Sequence, residues 1–266
     1  MLKIILSGLI TSGVFTVAAA SDHEIYWQNK DLDIIHSSST KVTNNEEFIA
    51  NLQKVLADNL SADKFAFMKE IVPMAVNANE EVELERDFLA KLMKKKEITE
   101  EEKIALTALH FKYNTDGITN EENALKELKR RINIVPLDLI LTQAALESGW
   151  GQAPAVEKCN NLFGIHGNNG LEICDTPSKK IAHFDSIQAS VSFHILNLNR
   201  NAGYTEFRVH RQKILENSDS LTGIKLMPDL INYSIRKKAY TDELISLDTN
   251  NHLLSSVIEA LKLTEH

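Results

Sequence analysis

From residue 44 onward, apolar residues recur every three or four positions, which is the spacing of one face of an α-helix. The first such run is Phe48, Ile49, Leu52, Val55 and Leu56. Thr99 with Glu102 and Thr119 with Glu122 have the spacing of capping boxes, which begin helices. Pro73 interrupts one run. The pattern predicts a chain built almost wholly of helices.

One stretch, residues 149–184, breaks this pattern. It contains five of the chain's ten glycines, two of its five prolines and both cysteines. Because glycine and proline interrupt helices, we predict a loop here with a short hairpin around Leu171 to Cys174. Loops held by a rigid frame often carry function, so this stretch is also where we expect functional residues.

Residues 1–20 have the pattern of a secretory signal peptide: one lysine, an apolar run, and three alanines before Ser21. The apolar run is too short for a stable membrane span, although an uncleaved anchor is the alternative. We expect cleavage after Ala20 and a periplasmic or secreted protein. Residues 21–43 are polar and are predicted to form a flexible leader.

The formal net charge of the chain is −8. An acidic protein is a poor partner for nucleic acid or for an anionic membrane surface, since both require basic faces. After the first twenty residues no apolar run approaches membrane-spanning length, so no span is expected after signal cleavage. The oligomeric state is not indicated by the sequence.

The two cysteines are Cys159 and Cys174. In an exported protein the expected state of such a pair is a disulfide, which would close one loop. The alternative is a catalytic cysteine with a histidine base such as His166. An oxidising compartment consumes free thiols, which favours the disulfide.

A carboxylate stands at the end of a predicted helix in the segment Gln143-Ala-Ala-Leu-Glu147-Ser-Gly-Trp-Gly151. Gly149 is suited to end the helix in a left-handed turn, so Glu147 would lie in the last turn. Apolar neighbours and the negative end of the helix dipole both favour the protonated form, which a general acid needs. Trp150 could cover the site and stack on a sugar. A solvated glutamate is the alternative.

The segment Asn160-Asn-Leu-Phe-Gly-Ile165 follows after a short spacer. The amide of Asn161 offers donors and acceptors that suit sugar hydroxyls and N-acetyl groups. Phe163 and the glycine beside it would let a ligand lie close to the backbone. Taken alone, however, the segment is more typical of a turn with an apolar plug.

Together these motifs, "ALESGWG" and "NNLFGI", resemble the glucosaminidase domain of glycoside hydrolase family 73. The similarity continues through "FDSIQASVSFHILNLN" and "YTEFR" to "YSIRKKAYTDEL". Upstream, "FAFMKEIVPMAVNANEEVELERDFL" resembles the N-terminal region of the Bax-type members. The resemblance implies an all-α, lysozyme-like helical domain with a small β-hairpin lobe over residues 125–266, preceded by an N-terminal helical region over residues 44–124.

The resemblance also implies an activity and a set of site residues. The family cleaves peptidoglycan after N-acetylglucosamine, so the expected partner is peptidoglycan or a related glycan containing N-acetylglucosamine. By position, Glu147 corresponds to the catalytic acid and Tyr240 to a catalytic tyrosine of the cleft. The family's second carboxylate lies on the β-lobe, where this chain offers Glu172 or Asp175, and Glu172 is taken first. The expected substrate-binding residues are Gln143, Trp150, Asn161, Phe163 and Tyr233.

One departure from the family concerns Lys237, where Bax-type proteins commonly have glycine. If that glycine adopts a positive φ, lysine strains the turn between the cleft tyrosines.

The nine histidines show no metal-ligand spacing, and no cofactor is expected. An endo-β-N-acetylglucosaminidase is therefore the first expectation. A lytic transglycosylase and a non-catalytic cell-wall-binding protein are the alternatives.

Overall fold

The structure is a computed structural model that describes Leu32, Ile35 and residues 45–167, 173–176 and 179–265. The predicted signal peptide lies outside the described residues. The α-helices are α1 (Asn45–Asn59), α2 (Ala62–Leu92), α3 (Glu100–Lys112), α4 (Glu121–Arg131), α5 (Leu137–Ser148), α6 (Pro154–Cys159), α7 (Ile187–Arg200), α8 (Thr205–Glu216), α9 (Gly223–Leu226), α10 (Lys238–Asn250) and α11 (Leu253–Thr264). Short 3₁₀ turns cover Ala202–Tyr204 and Met227–Asn232.

Strands β1 (Ile173–Thr176) and β2 (Lys179–Ala182) form one antiparallel hairpin in which Cys174 pairs with Ile181. The expected fold class is confirmed: an all-α, lysozyme-like architecture with a small β-hairpin. Within the described residues, no helix combines the length and the apolar character that crossing a membrane requires.

Helix starts follow the local sequence closely. The capping box of Thr99 and Glu102 is present at α3, with both reciprocal hydrogen bonds formed. The box predicted at Thr119 is wrong by one residue, because the side chain of Asn120 caps α4 by accepting from the backbone N–H of Asn123. Short polar side chains in sequence compete for the same capping position, which makes its exact register hard to predict.

Helix α2 continues through Pro73, although the proline was expected to interrupt it. Proline removes the hydrogen bond to the carbonyl four residues earlier, here that of Lys69. The side chain of Gln53 on α1 donates to this carbonyl at 2.9 Å and so replaces the missing bond. A neighbouring helix therefore compensates for the proline.

The two ends of the described chain pack together, since α1 lies against α11. Asn59 Nδ2 donates to Ser256 Oγ at 3.1 Å, and Asn51 Nδ2 donates to Thr264 Oγ1 at 3.1 Å. Helix α2 in turn packs against α5 and α7, so the N-terminal helices and the later helices share one hydrophobic core. Leu32 and Ile35, within the predicted leader, are buried in this core.

Two buried carboxyl groups anchor α5 to α9 and α10. Asp138 accepts hydrogen bonds from the backbone N–H groups of Gly223 and Ile224, at 2.7 and 3.3 Å to Oδ2. A Cβ at Gly223 would stand 2.6 Å from that oxygen, so only glycine allows this approach. Thr142 Oγ1 lies 2.6 Å from the Asp138 carbonyl and 3.2 Å from Oδ2 of Asp248. Burial, and then the charge of Asp138, raises the pKa of Asp248 to about 6.

Candidate active site

Helix α5 ends as its sequence predicts and leaves Glu147 in its last turn. Gly149 adopts a left-handed conformation with φ 56° and ψ 46°. The chain then doubles back, because the N–H of Trp150 donates to the carbonyl of Ala145 at 2.9 Å. Ser148 Oγ accepts from the N–H of Gly151 at 2.8 Å and fixes the turn. The half-buried carboxylate is therefore held on rigid backbone.

The turn of the second motif lies next to this carboxylate. A Cβ built on Gly164 would meet Oε2 of Glu147 at 3.9 Å, which is ordinary van der Waals distance. The structure thus brings the two motifs together, although they are separated in sequence by helix α6. Gly164 itself has φ 63°, a conformation that side chains rarely adopt.

Three aromatic rings, Tyr204, Tyr233 and Tyr240, form what we call the tyrosine wall beside Glu147. The rings of Tyr233 and Tyr240 are stacked, with centroids 5.3 Å apart and an interplanar angle of 6°. Tyr204 lies 6.2 Å from Tyr233 between centroids. The hydroxyl of Tyr233 donates to the carbonyl of Phe163 at 3.2 Å, which connects the wall to the turn at Gly164.

The phenols of this wall are held in their protonated form. Burial raises the pKa of Tyr204 to about 12, and the negative charge of Glu147 adds to this effect. Burial and then Glu147 raise the pKa of Tyr233 and of Tyr240 well above the ordinary value. At neutral pH the three hydroxyls therefore act as hydrogen-bond donors and acceptors, and not as bases or nucleophiles.

Tyr240 is bonded on both sides of its hydroxyl. It interacts with Glu147 through a side-chain hydrogen bond, which also raises the pKa of the phenol. Gln143 Nε2 donates to its oxygen at 3.0 Å. The oxygen of the same amide, Oε1, lies 3.0 Å from Nε2 of His194. A continuous series of polar contacts thus connects His194 on α7 to Glu147 on α5.

His194 is fully buried within this series. Its ring stacks on Phe163 with centroids 3.8 Å apart and meets Tyr233 edge-on at 5.8 Å. Burial lowers the pKa of His194 to about 3, so the imidazole is neutral at ordinary pH. Nδ1 has no hydrogen-bond partner among the described residues.

The hairpin lobe (residues 160–184) is attached by a disulfide and by one asparagine. The predicted Cys159–Cys174 disulfide is present, with a Cα–Cα distance of 5.7 Å. Asn161 Nδ2 donates to the carbonyls of Ile165 and Ala182 at 2.8 and 2.9 Å, and its Oδ1 accepts from the N–H of Ile165 at 2.9 Å. Every polar group of this amide is therefore used to hold the turn against β2.

The two candidates for the second carboxylate, Glu172 and Asp175, belong to the part of this lobe that the structure describes only partly. Glu172 lies outside the described residues. Asp175 is in β1, where its backbone pairs with Lys180, but its side chain lies outside the described part. The choice between them stays a prediction.

Trp150 is held by the N-terminal helices. The ammonium of Lys64 lies 4.7 Å from the centre of its ring, and Phe67 meets it edge-on with centroids 5.9 Å apart. Both residues belong to α2. Part of the surface expected to stack on a sugar is therefore already covered by the protein.

Three of the five expected substrate-binding side chains require a correction. Gln143, Asn161 and Phe163 are each at most 1% exposed, so they support the site from behind and do not face a glycan. Tyr233 and Trp150 are half-buried and remain accessible in part. A motif does not distinguish a side chain that touches ligand from one that holds the residue that does.

Sequence reasoning missed the roles of His194 and Tyr204. His194 follows Ile187 by seven positions and Val191 by three, on the apolar face of α7, so its spacing already placed a polar ring in the core. Tyr204 begins the "YTEFR" segment of the resemblance. Within the described ranges, no group of three or more histidine, cysteine, aspartate or glutamate side chains could hold a metal ion.

Comparison with known proteins finds sequence similarity over the part of the chain that contains this site. The model of the glucosaminidase family, described as mannosyl-glycoprotein endo-beta-N-acetylglucosaminidase, matches residues 122–253. Protein bax of Escherichia coli strain K12 is 27% identical over 195 residues, which cover 72% of this chain and 70% of that protein. No solved structure matches the chain. The family match includes Glu147, the tyrosine wall and the hairpin lobe.

Proposed function

We propose that this Bax-type chain, whose residues 122–253 form a domain of the glucosaminidase family, hydrolyses peptidoglycan strands as an endo-β-N-acetylglucosaminidase. The family supports a glycan-cleaving cell-wall hydrolase in general. The finer proposal depends on one observation: a half-buried carboxylate, Glu147, faces the turn at Gly164 and is hydrogen-bonded to a protonated tyrosine. Export to the periplasm, expected from residues 1–20, would bring the chain to this substrate.

In the proposed reaction Glu147 is the general acid. Its proton passes to the glycosidic oxygen, the bond from that oxygen to the anomeric carbon breaks, and water adds to the anomeric carbon while the proton that this water loses passes to a second group of the site. Tyr240 orients the carboxyl group through its hydroxyl. We propose Glu172 on the hairpin lobe as the second charged group, with Asp175 or the substrate's own acetamido group as alternatives.

A lytic transglycosylase is the second candidate, and one observation favours it. Among the described residues, Glu147 is the one carboxylate whose charge raises the pKa values of the wall phenols. A transglycosylase can work with a single glutamate, because a hydroxyl of the substrate replaces water and an anhydro sugar forms.

Product analysis distinguishes these activities. Residues 21–266 would be incubated with purified peptidoglycan, and the fragments analysed by mass spectrometry before and after borohydride reduction. A hydrolase yields reducing N-acetylglucosamine ends that borohydride reduces, whereas a transglycosylase yields anhydro ends that it does not. Glu147→Gln should lower the rate about 10² to 10⁴-fold with the fold unchanged. No fragments from the parent protein would contradict both and leave a wall-binding protein.

A further inference from the structure

Gln143 links the buried ring of His194 to Tyr240, which is itself hydrogen-bonded to Glu147. It lies fully buried on α5 between His194 of α7 and Tyr240 of α10. Its amide nitrogen is 3.0 Å from the Tyr240 hydroxyl, and its amide oxygen is 3.0 Å from Nε2 of His194. Each end of the amide therefore has one protein partner.

The orientation of the Gln143 amide determines which atom donates and which accepts in each hydrogen bond of the series. An amide has a donor end and an acceptor end, so the oxygen of Gln143 requires a proton on Nε2 of His194. In the reverse orientation the proton would sit on Nδ1, which has no partner within the described residues. A buried N–H without an acceptor costs about 1 to 3 kcal/mol, which favours the Nε2–H form. Phe163, stacked on the ring, limits its rotation.

The consequence appears at Tyr240. A phenol has a single proton, and its oxygen already accepts from Gln143. The proton is therefore available for Glu147, with which Tyr240 forms its other side-chain hydrogen bond. Without a fixed amide, the same hydroxyl could turn and donate to the oxygen of Gln143 instead.

We propose that His194 and Gln143 are positioning residues that direct the Tyr240 hydroxyl proton onto the Glu147 carboxylate. The proposal rests on the proposed function of Glu147 as the acid. Neither residue touches the substrate, and His194 exchanges no proton with it. Their effect is to hold the carboxyl group of Glu147 in the orientation in which it meets the glycosidic oxygen.

The proposal predicts an effect on pH dependence that a loss of packing would not produce. Among the described residues, Glu147 raises the pKa values of the phenols of Tyr204, Tyr233 and Tyr240, all of which stay protonated. His194, the remaining titratable group of the series, stays neutral because burial lowers its pKa to about 3. The limb of the pH–rate profile that reports Glu147 is therefore not obscured by these groups. A lost hydrogen bond to the carboxylate moves that limb to higher pH.

The test compares three variants of the mature chain. His194→Phe keeps a flat ring on Phe163 but removes the donor, and we expect kcat to fall about tenfold, KM to change little, and the Glu147 limb to rise by up to about one pH unit. His194→Gln returns an amide nitrogen near the position of Nε2 and should recover most of kcat. Val191→Ala removes buried apolar packing from the same helix and leaves the hydrogen-bonded series intact, so it should lower the melting temperature without moving the limb.

Nitrogen NMR of the parent protein tests the series without any assay. ¹⁵N-labelled histidine should show His194 as the neutral Nε2–H tautomer from pH 8 down to about pH 4. An Nδ1–H tautomer would overturn the proposal, as would a His194→Phe variant with the parent's kcat and pH profile. The parent protein could release no glycan fragments while NMR finds the Nε2–H tautomer. In that case the proposed function is wrong, while the hydrogen-bond directions from His194 to Tyr240 are correct.

Discussion

The tyrosine wall and the hairpin lobe both border Glu147, but they are held in different ways. Tyr204 ends one 3₁₀ turn, Tyr233 directly follows the other, and Tyr240 lies in α10. These three rings are fixed by stacking and by buried side-chain hydrogen bonds. The hairpin lobe is one continuous segment, fixed by a covalent bond at Cys159 and by the backbone contacts of Asn161. We therefore expect the wall to set the orientation of Glu147, and strands β1 and β2 of the lobe to tolerate change without disturbing it.

The largest expected effect would come from the lobe. If Glu172 supplies the second charge, Glu172→Gln should lower the hydrolysis rate by about 10² or more, as the loss of a general base does. Asp175→Asn is the matched control and should keep the parent rate. Released reducing ends measure both variants.

Other results would change the assignment. A loss with Asp175→Asn alone would move the second charge to Asp175. Parent rates in both variants would leave the acetamido group of the substrate in that role, and the lobe would then have no charged part in the chemistry.

Removal of the disulfide tests how the lobe is held. Replacing both cysteines with serine should lower the free energy of unfolding by about 3 kcal/mol, since the bond closes a loop of 15 residues in sequence separation. Thermal unfolding in the absence of reductant measures this loss. Below the melting temperature, we expect the pH profile of Glu147 to be that of the parent, because the wall is intact. A shifted profile would mean that the lobe also orients the acid.

The wall is tested by Tyr240→Phe. Loss of one hydrogen bond to a charged group is worth about 1.5 to 3 kcal/mol, so kcat should fall about 10 to 100-fold. Tyr204→Phe provides the comparison, because Tyr204 interacts with Glu147 through charge and not through a direct hydrogen bond. Equal losses of kcat in both variants would contradict the claim that Tyr240 orients Glu147 through its hydrogen bond.

A further prediction concerns Asp248, which lies on helix α10 with Tyr240 of the tyrosine wall. Its folded pKa of about 6 is raised from 3.8, so its stabilising contribution is complete below about pH 4 and is lost as the pH rises through 6. Asp248→Asn stays neutral and should be more stable than the parent by up to about 2 kcal/mol at pH 7.5, but no more stable at pH 4. Asp242→Asn, exposed on the same helix, is the control in thermal melts at both pH values. A gain that is equal at the two pH values would exclude this ionisation as its cause.

The smallest effect is expected at the turn that precedes α10. Lys237 has φ 51° and ψ −124°, a conformation that strains any residue with a Cβ. Lys237→Gly should therefore raise the free energy of unfolding by about 1 kcal/mol. Chemical denaturation measures this gain, and Lys238→Gly, inside the helix, should instead destabilise. An unchanged midpoint for Lys237→Gly would mean that lysine is accommodated without cost.

Much of the fold could be predicted because its signals are local. The cap at Thr99, the left-handed Gly149 and the cysteine pair are each readable within a few residues or from the chemistry of the expected compartment. The continuity of α2 through Pro73 was not readable in this way. It depends on Gln53, whose position on a neighbouring helix only the tertiary fold determines.

The same limit applies to the site. The position of Glu147 in a final helical turn follows from the motif, and so does its neighbour Gly164. The partners of Gln143 lie 51 and 97 residues away, and no local pattern joins them. The sequence therefore predicted the local setting of Glu147, while the hydrogen bonds of Gln143 depend on the packed core.

The pairing of α1 with α11 has a consequence for the order in which the protein can be made. Asn59 and its partner Ser256 are separated by 197 residues, so a chain still emerging from the ribosome can pack α1 against α2 but not yet against α11. The burial of Leu52 and Leu56 seen in the folded chain is therefore complete only after α11 has been released. Contacts this distant in sequence also slow folding. Helix α1 thus lacks one of its packing partners until α11 has been synthesised, and a truncation that removes α11 exposes part of α1.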